Sequence, residues 1–92
     1  MAYKEDTINL TTSKVEQPFT AEALGFVPGH LFITVESANM RFWYGGKIPT
    51  SGEGHIGFAN ISYTFYKRQE IENLRMISQS GTSVVRYTVS GL

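Results

Sequence analysis

Hydrophobic and polar residues alternate along most of the chain with a period of two. Between residues 30 and 37 every second side chain is aliphatic. A similar alternation recurs at 40–44, 61–66 and 84–90, and the first two of these runs are richer in aromatic residues. Such alternation is typical of strands with one buried face and one solvated face. Weaker runs at 7–11 and 74–78 complete a set of six candidate strands.

Turn-forming residues separate these candidate strands. Glycines and a proline interrupt residues 45–57, and Pro28-Gly29 precedes the strand at 30–37. The tripeptide Ser37-Ala38-Asn39 is short enough for a hairpin loop, so the strands on either side of it should pair. Only residues 67–73, rich in glutamine and glutamate, could form a helical turn. The pattern predicts an all-β fold, a small antiparallel β-sandwich or jelly-roll-like barrel of about six to eight short strands.

The length of the chain fits one domain. With 92 residues, residues 1–92 should form a single β-domain, in which the charged residues 1–6 are expected to be a flexible N-terminal arm. A domain of this size has a small core, so contacts with other subunits would add to its stability.

Charge and cysteine content narrow the classes of function. Charged residues make up 17% of the chain and the net charge is zero, which argues against a nucleic-acid partner and favours association with other proteins. The chain has no cysteine, which favours assembly in a reducing cytoplasm. We expect no signal peptide and no membrane contact, because no long apolar segment is present.

Candidate chemistry is sparse. The closest pair of an acid and a histidine is Glu53 and His55, in the glycine-rich loop, with no third group to complete a catalytic or metal site. The sequence Gly52-Glu53-Gly54 lacks the lysine and hydroxyl residue of a phosphate-binding loop. We therefore expect no enzyme activity, no catalytic residues, no metal and no cofactor.

The aromatic residues divide into two sets. Alternation directs four of them into the core: Phe42, Tyr44, Tyr63 and Phe65. Phe32 and Trp43 fall on the opposite face of two strands expected to be neighbours, close to Arg41. The outer face of a two-layer domain should be polar, and exposed aromatic residues beside arginine are typical of protein interfaces.

These residues predict a protein–protein contact at Phe32, Arg41, Trp43 and Tyr66. Two alternatives remain open. The N-terminal segment, residues 7–15, could cover Phe32 and Trp43 within one chain, or Trp43 and Tyr66 could form a platform on which a sugar stacks.

The loop after the aromatic strand should be ordered. The fixed φ of Pro49 and the hydrogen bonds of Thr50 would pin it, and Arg41 on the preceding strand could contact its carbonyl groups. The residues predicted to shape this loop are Gly45, Gly46, Pro49, Thr50, Gly54 and His55.

One stretch resembles a group of small virion proteins of tailed bacteriophages. It reads ITVESANMRF at 33–42, then GGKIPT at 45–50 and GH at 54–55. Further along, NLRMI at 73–77 and VVRYTV at 84–89 match the later strands of that group. The resemblance extends over residues 8–90, and it departs from the group at Gly45, where an acidic residue is usual.

The resemblance implies a structural role without catalysis. It favours a capsid decoration or cement protein, with a neck, collar or tail accessory protein as the alternative and a carbohydrate- or host-surface-binding module as the second alternative. The implied partners are further copies of the chain, forming a homo-oligomer, and other virion proteins such as the major capsid protein. The implied location is the virion, after assembly in the cytoplasm of the bacterial host.

Overall fold

Seven strands and two short helices make up the regular structure of residues 2–92, the part of the chain that the computed structural model describes. In chain order they are β1 (Tyr3–Leu10), α1 (Ala21–Leu24), β2 (Pro28–Glu36), β3 (Met40–Trp43), β4 (His55–Gly57), β5 (Ser62–Phe65), α2 (Arg68–Asn73), β6 (Arg75–Ser78) and β7 (Ser83–Gly91). The predicted all-β fold, with its number of strands, is confirmed.

The strands form two antiparallel sheets that enclose one core. The four-stranded sheet has the order β1-β7-β2-β5, and the three-stranded sheet has the order β4-β3-β6. Alternate residues of β2 and β7, such as Ile33 and Val85, are buried against Met40 and Phe42 of β3 and Met76 of β6. The period-two pattern thus supplies the inner face of each sheet, and the result is a β-sandwich.

Residues outside the sheets complete the core. Phe19, which precedes α1, is fully buried and packs edge-on against Tyr87 with ring centroids 4.9 Å apart. Ile71 of α2 is also fully buried, and α2 occupies the segment predicted to form a helical turn. Helix α1 was not predicted, although Thr20 caps its first turn and Gly25, at φ +81°, ends it.

The prediction that β2 and β3 form a hairpin is wrong. Both edges of β2 are already occupied, one by β7 and the other by β5. The three residues after β2 instead lead the chain across to the other sheet, and Ser37 takes a left-handed conformation at φ +74° to make that crossing. The strands β2 and β3 therefore belong to different layers.

The segment expected to be a flexible arm belongs to a strand over residues 3–6. Residues 3–6 form the first half of β1, where Tyr3 pairs with Ser90 and Asp6 with Tyr87. Their side chains are exposed, so the backbone ladder with β7, rather than burial, holds this segment. Met1 lies outside the described residues.

Candidate functional site

The four predicted interface residues lie on two different surfaces. Arg41 and Trp43 alternate with the buried residues of β3, so they project from the outer face of the three-stranded sheet. Phe32 and Tyr66 project from the outer face of the four-stranded sheet. Because β2 and β3 are in different layers, the expected single patch is wrong, and Trp43 and Tyr66 do not form one stacking platform.

We call Arg41, Trp43, Lys47 and Arg75 the Trp43 face. Trp43 is directly opposite Arg75 in the pairing of β3 with β6. The Lys47 ammonium lies 5.3 Å from the centroid of the indole ring, within the range of a cation–π interaction. This surface therefore combines one half-buried tryptophan with three cationic side chains.

His55 lies among aromatic rings at the edge of the same sheet. Its ring centroid is 4.9 Å from that of Trp43 and 5.6 Å from that of Tyr44. Tyr44 was expected in the core, but β3 ends at the preceding residue and Tyr44 is 37% exposed. It instead packs beside Phe65, at 5.8 Å, at the margin of the sandwich.

The loop between β3 and β4 contains the contact expected of Arg41. Its Nη1 donates a hydrogen bond to the Gly54 carbonyl oxygen at 3.0 Å. Pro49 is buried. Thr50 and Glu53 exchange two backbone hydrogen bonds, each 3.1 Å long, and the Thr50 hydroxyl accepts from Gly52 N at 3.3 Å.

Two of the predicted loop glycines have backbone conformations that disfavour other residues. Gly46 has φ +109° and Gly54 has φ +131°. A Cβ on Gly54 would lie 3.1 Å from the Phe42 carbonyl oxygen, so the loop approaches β3 too closely for a side chain. Gly45 has open space around it.

We call the outer surface of the four-stranded sheet the Phe32 face. Phe32 is 43% exposed and Tyr66 is 73% exposed. Tyr66 packs beside His30, with ring centroids 5.3 Å apart. The proposed cover by the N-terminal segment is wrong for Phe32, because β1 lies in the plane of the sheet beside β7 and does not cross over it.

An open groove of about 310 Å³ runs over β7 on this face. Its floor contains Arg86 and Thr88. Its two sides come from neighbouring strands: Glu5 and Thr7 of β1, and Phe32 and Thr34 of β2. The sequence pattern did not indicate this groove, since residues 1–6, which include Glu5, were expected to be a flexible arm.

Hydrogen bonds hold several groove side chains in place. The Thr88 hydroxyl donates to Glu5 Oε2 at 2.8 Å. Arg86 donates through Nε to Glu36 Oε2 at 2.9 Å and through Nη1 to Thr7 Oγ1 at 3.1 Å. These bonds connect β1, β7 and β2 across the outer face, so they hold polar side chains of the groove in defined positions.

Two ionisable groups have displaced pKa values. Burial raises the pKa of the Tyr87 hydroxyl, and the charge of Asp6 raises it further. The pKa of Glu72 is lowered by its hydrogen bond from Arg68 and, next, by the backbone N–H of Ala21. Both groups support packing rather than chemistry: Tyr87 belongs to the core and Glu72 links α2 to α1.

Within residues 2–92, no three or more histidine, cysteine or acidic side chains converge to hold a metal ion. No helix in this range has the length and apolar character needed to cross a bilayer.

Comparisons with protein-family models, with curated proteins and with solved structures found no match for this chain.

Proposed function

We propose that the protein is a non-enzymatic structural subunit of a tailed-phage virion. In this proposal it is a capsid decoration or cement protein, assembled in the host cytoplasm, that docks on the particle through the Trp43 face. The observation that carries the proposal is the grouping of one tryptophan with Arg41, Arg75 and Lys47 on the outer face of a sheet. Tryptophan and arginine are the residues most enriched among the energetic centres of protein interfaces.

The charges of the Trp43 face indicate the chemistry of the partner. The ion pairs found in residues 2–92 join Lys14 to Glu16, Arg68 to Glu72 and Arg86 to Glu36, so they use other cations. Arg41, Arg75 and Lys47 thus have no carboxylate partner within these residues. Nε of Arg41 and Nη1 of Arg75 are buried, and Nη1 of Arg41 is bonded to the Gly54 carbonyl. The exposed ammonium of Lys47 is therefore the most accessible cation of this face for carboxylates of a second protein. An acidic surface on the major capsid protein is the proposed partner.

The order of the adjoining loop supports the same surface. Arg41 is held by the Gly54 carbonyl and the indole of Trp43 is held between His55 and Lys47. A partner would therefore meet side chains that are already positioned, and less conformational entropy would be lost on binding.

A neck, collar or tail accessory protein is the alternative within the same class. It would use the same contact surface, so copy number separates the two. A decoration protein is present in hundreds of copies per particle, whereas a neck ring has about a dozen. Quantitative mass spectrometry of purified particles measures this number, and sedimentation velocity tests whether the isolated chain is the proposed homo-oligomer.

The docking surface is tested by binding to particles that lack the protein. Trp43→Ala should weaken binding about 30-fold or more, the loss expected for an interface centre. Tyr3→Ala is the matched control, because Tyr3 is an exposed aromatic residue of β1, in the other sheet. Its binding should stay within about twofold of the unchanged protein.

Thermal melting of both variants separates a lost contact from a lost fold. Undiminished binding by a folded Trp43→Ala variant would overturn the proposed docking surface. Equal losses in both variants would also count against it.

A further inference from the structure

We propose that the groove on the Phe32 face binds a neutral sugar unit of a glycan. This goes beyond the structural role proposed above and uses the opposite face of the sandwich. The groove, about 310 Å³ in volume, is at the lower end of the size range of small-molecule sites.

The position of Phe32 supplies the apolar side of the site. Its side chain stands on the central part of the sheet, between Thr88 on β7 and Thr64 on β5 in the strand register. Both neighbours are small, so the ring of Phe32 is not covered by them and 43% of the residue is exposed. An exposed aromatic face beside a polar groove matches the alternation of C–H and hydroxyl groups around a pyranose ring.

The opposite side of the groove supplies groups for the sugar hydroxyls. Glu5 accepts a hydrogen bond from Thr88 through Oε2, which leaves the second carboxylate oxygen to accept a hydrogen bond from a ligand hydroxyl. Charge-assisted bonds of this kind are stronger than bonds between neutral groups. The hydroxyls of Thr7 and Thr34 can each donate or accept.

The charge of the groove favours a neutral ligand over an anion. Its charged side chains on the outer face are the carboxylate of Glu5 and one guanidinium, that of Arg86. Arg86 already forms an ion pair with Glu36, at 2.9 Å. A phosphate or an acidic peptide would therefore meet excess negative charge, whereas hydroxyl groups would find both donors and acceptors.

The lining is also preorganised. Hydrogen bonds from Thr88 to Glu5 and from Arg86 to Thr7 fix side chains on β1 and β7, two of the three strands that form the groove. Those strands pair along their whole length, from Tyr3 opposite Ser90 to Leu10 opposite Ser83. A sugar would thus bind without a large ordering of side chains.

The test uses methyl glycosides of glucose, galactose, mannose, rhamnose and N-acetylglucosamine with the ¹⁵N-labelled protein. At least one glycoside at millimolar concentration should shift the amide signals of Phe32, Arg86 and Thr88 in a saturable way. Phe32→Ala should weaken that binding roughly five- to tenfold, because the stacking surface is lost. Phe58→Ala, which removes an exposed ring elsewhere, should leave it unchanged.

A second variant tests the same site in case Phe32→Ala does not fold. Thr88→Val preserves the shape of the side chain and removes its bond to Glu5, so it should weaken binding without disturbing the core. Absence of shifts with all five glycosides would overturn the sugar site, as would shifts that persist in both Phe32→Ala and Thr88→Val. Trp43→Ala should leave the glycoside-induced shifts unchanged, and Phe32→Ala should leave particle binding unchanged. Failure of the sugar-site proposal can therefore be distinguished from failure of the proposed docking through the Trp43 face.

Discussion

The two sheets of the sandwich are built in different ways. In the four-stranded sheet, β2 and β7 are nine residues each and pair over almost their full length. In the three-stranded sheet, the strands have three or four residues. A long ladder fixes its own register, because a shift of one residue would turn every buried side chain to solvent.

The short strands have fewer such constraints and depend on single contacts. The loop that leads from β3 to β4 is held by Arg41 on the Gly54 carbonyl and by the close approach of Gly54 to Phe42. We therefore expect the Trp43 face to be more sensitive to point changes than the Phe32 face. Substitutions in each sheet test this difference in sensitivity.

The largest effect is expected at Gly54. Gly54→Ala places a Cβ about 3 Å from the backbone of Phe42 at a φ of +131°, so unfolding free energy should fall by about 2–4 kcal/mol. Gly52→Ala is the matched control, because open space surrounds that glycine. Its effect should stay within about 0.5 kcal/mol. Urea unfolding measures both, and equal stability of the two variants would contradict the comparison.

A smaller loss is expected at Arg41. Arg41→Ala removes the hydrogen bond to the Gly54 carbonyl, which should lower the unfolding free energy by about 1.5 kcal/mol, the lower end for bonds from charged groups. Arg41→Lys retains one donor and should lose less. Hydrogen exchange at His55 and Ile56 should accelerate in the alanine variant, while exchange in β2 stays unchanged. Unaltered stability and exchange would exclude this role for Arg41.

The smallest effect is expected in the four-stranded sheet. Ser62→Ala removes the hydroxyl pair between Ser62 and Thr34, 3.0 Å apart on the outer face, and should cost about 0.5 kcal/mol. The backbone pairing of Phe32 with Thr64 should persist, as shown by cross-strand nuclear Overhauser effects. A loss as large as that of Arg41→Ala would show that this sheet also depends on single side chains.

The strands were predictable where burial produces a regular pattern. The strands β2 and β7 alternate because one face of each meets the core and the other meets solvent. The contact of Arg41 with a loop carbonyl was also predictable, since strand and loop are close in the chain. Strand β4 was not, because its three residues lie in a glycine-rich segment and are held only by pairing with β3.

Strand partners could not be deduced from local sequence. The three residues after β2 suit a hairpin by length, but β7, from the far end of the chain, takes the edge that β3 would need. The charged residues at the start of β1 were predicted to be a flexible arm because their local sequence does not show that they pair with β7. Their order comes from the backbone of β7 and not from any buried side chain. The incorrect hairpin prediction placed Phe32 and Trp43 on one face, whereas they lie on two different sheets.

The single tryptophan has an optical consequence. Trp43 is the only indole in the 92 residues, so tryptophan emission from the whole molecule originates beside Lys47 and Arg75. The positive potential there attracts anionic quenchers and repels cationic ones. Iodide should therefore quench the emission more strongly than caesium does, and a change in that ratio reports on the Trp43 face alone, without any attached dye.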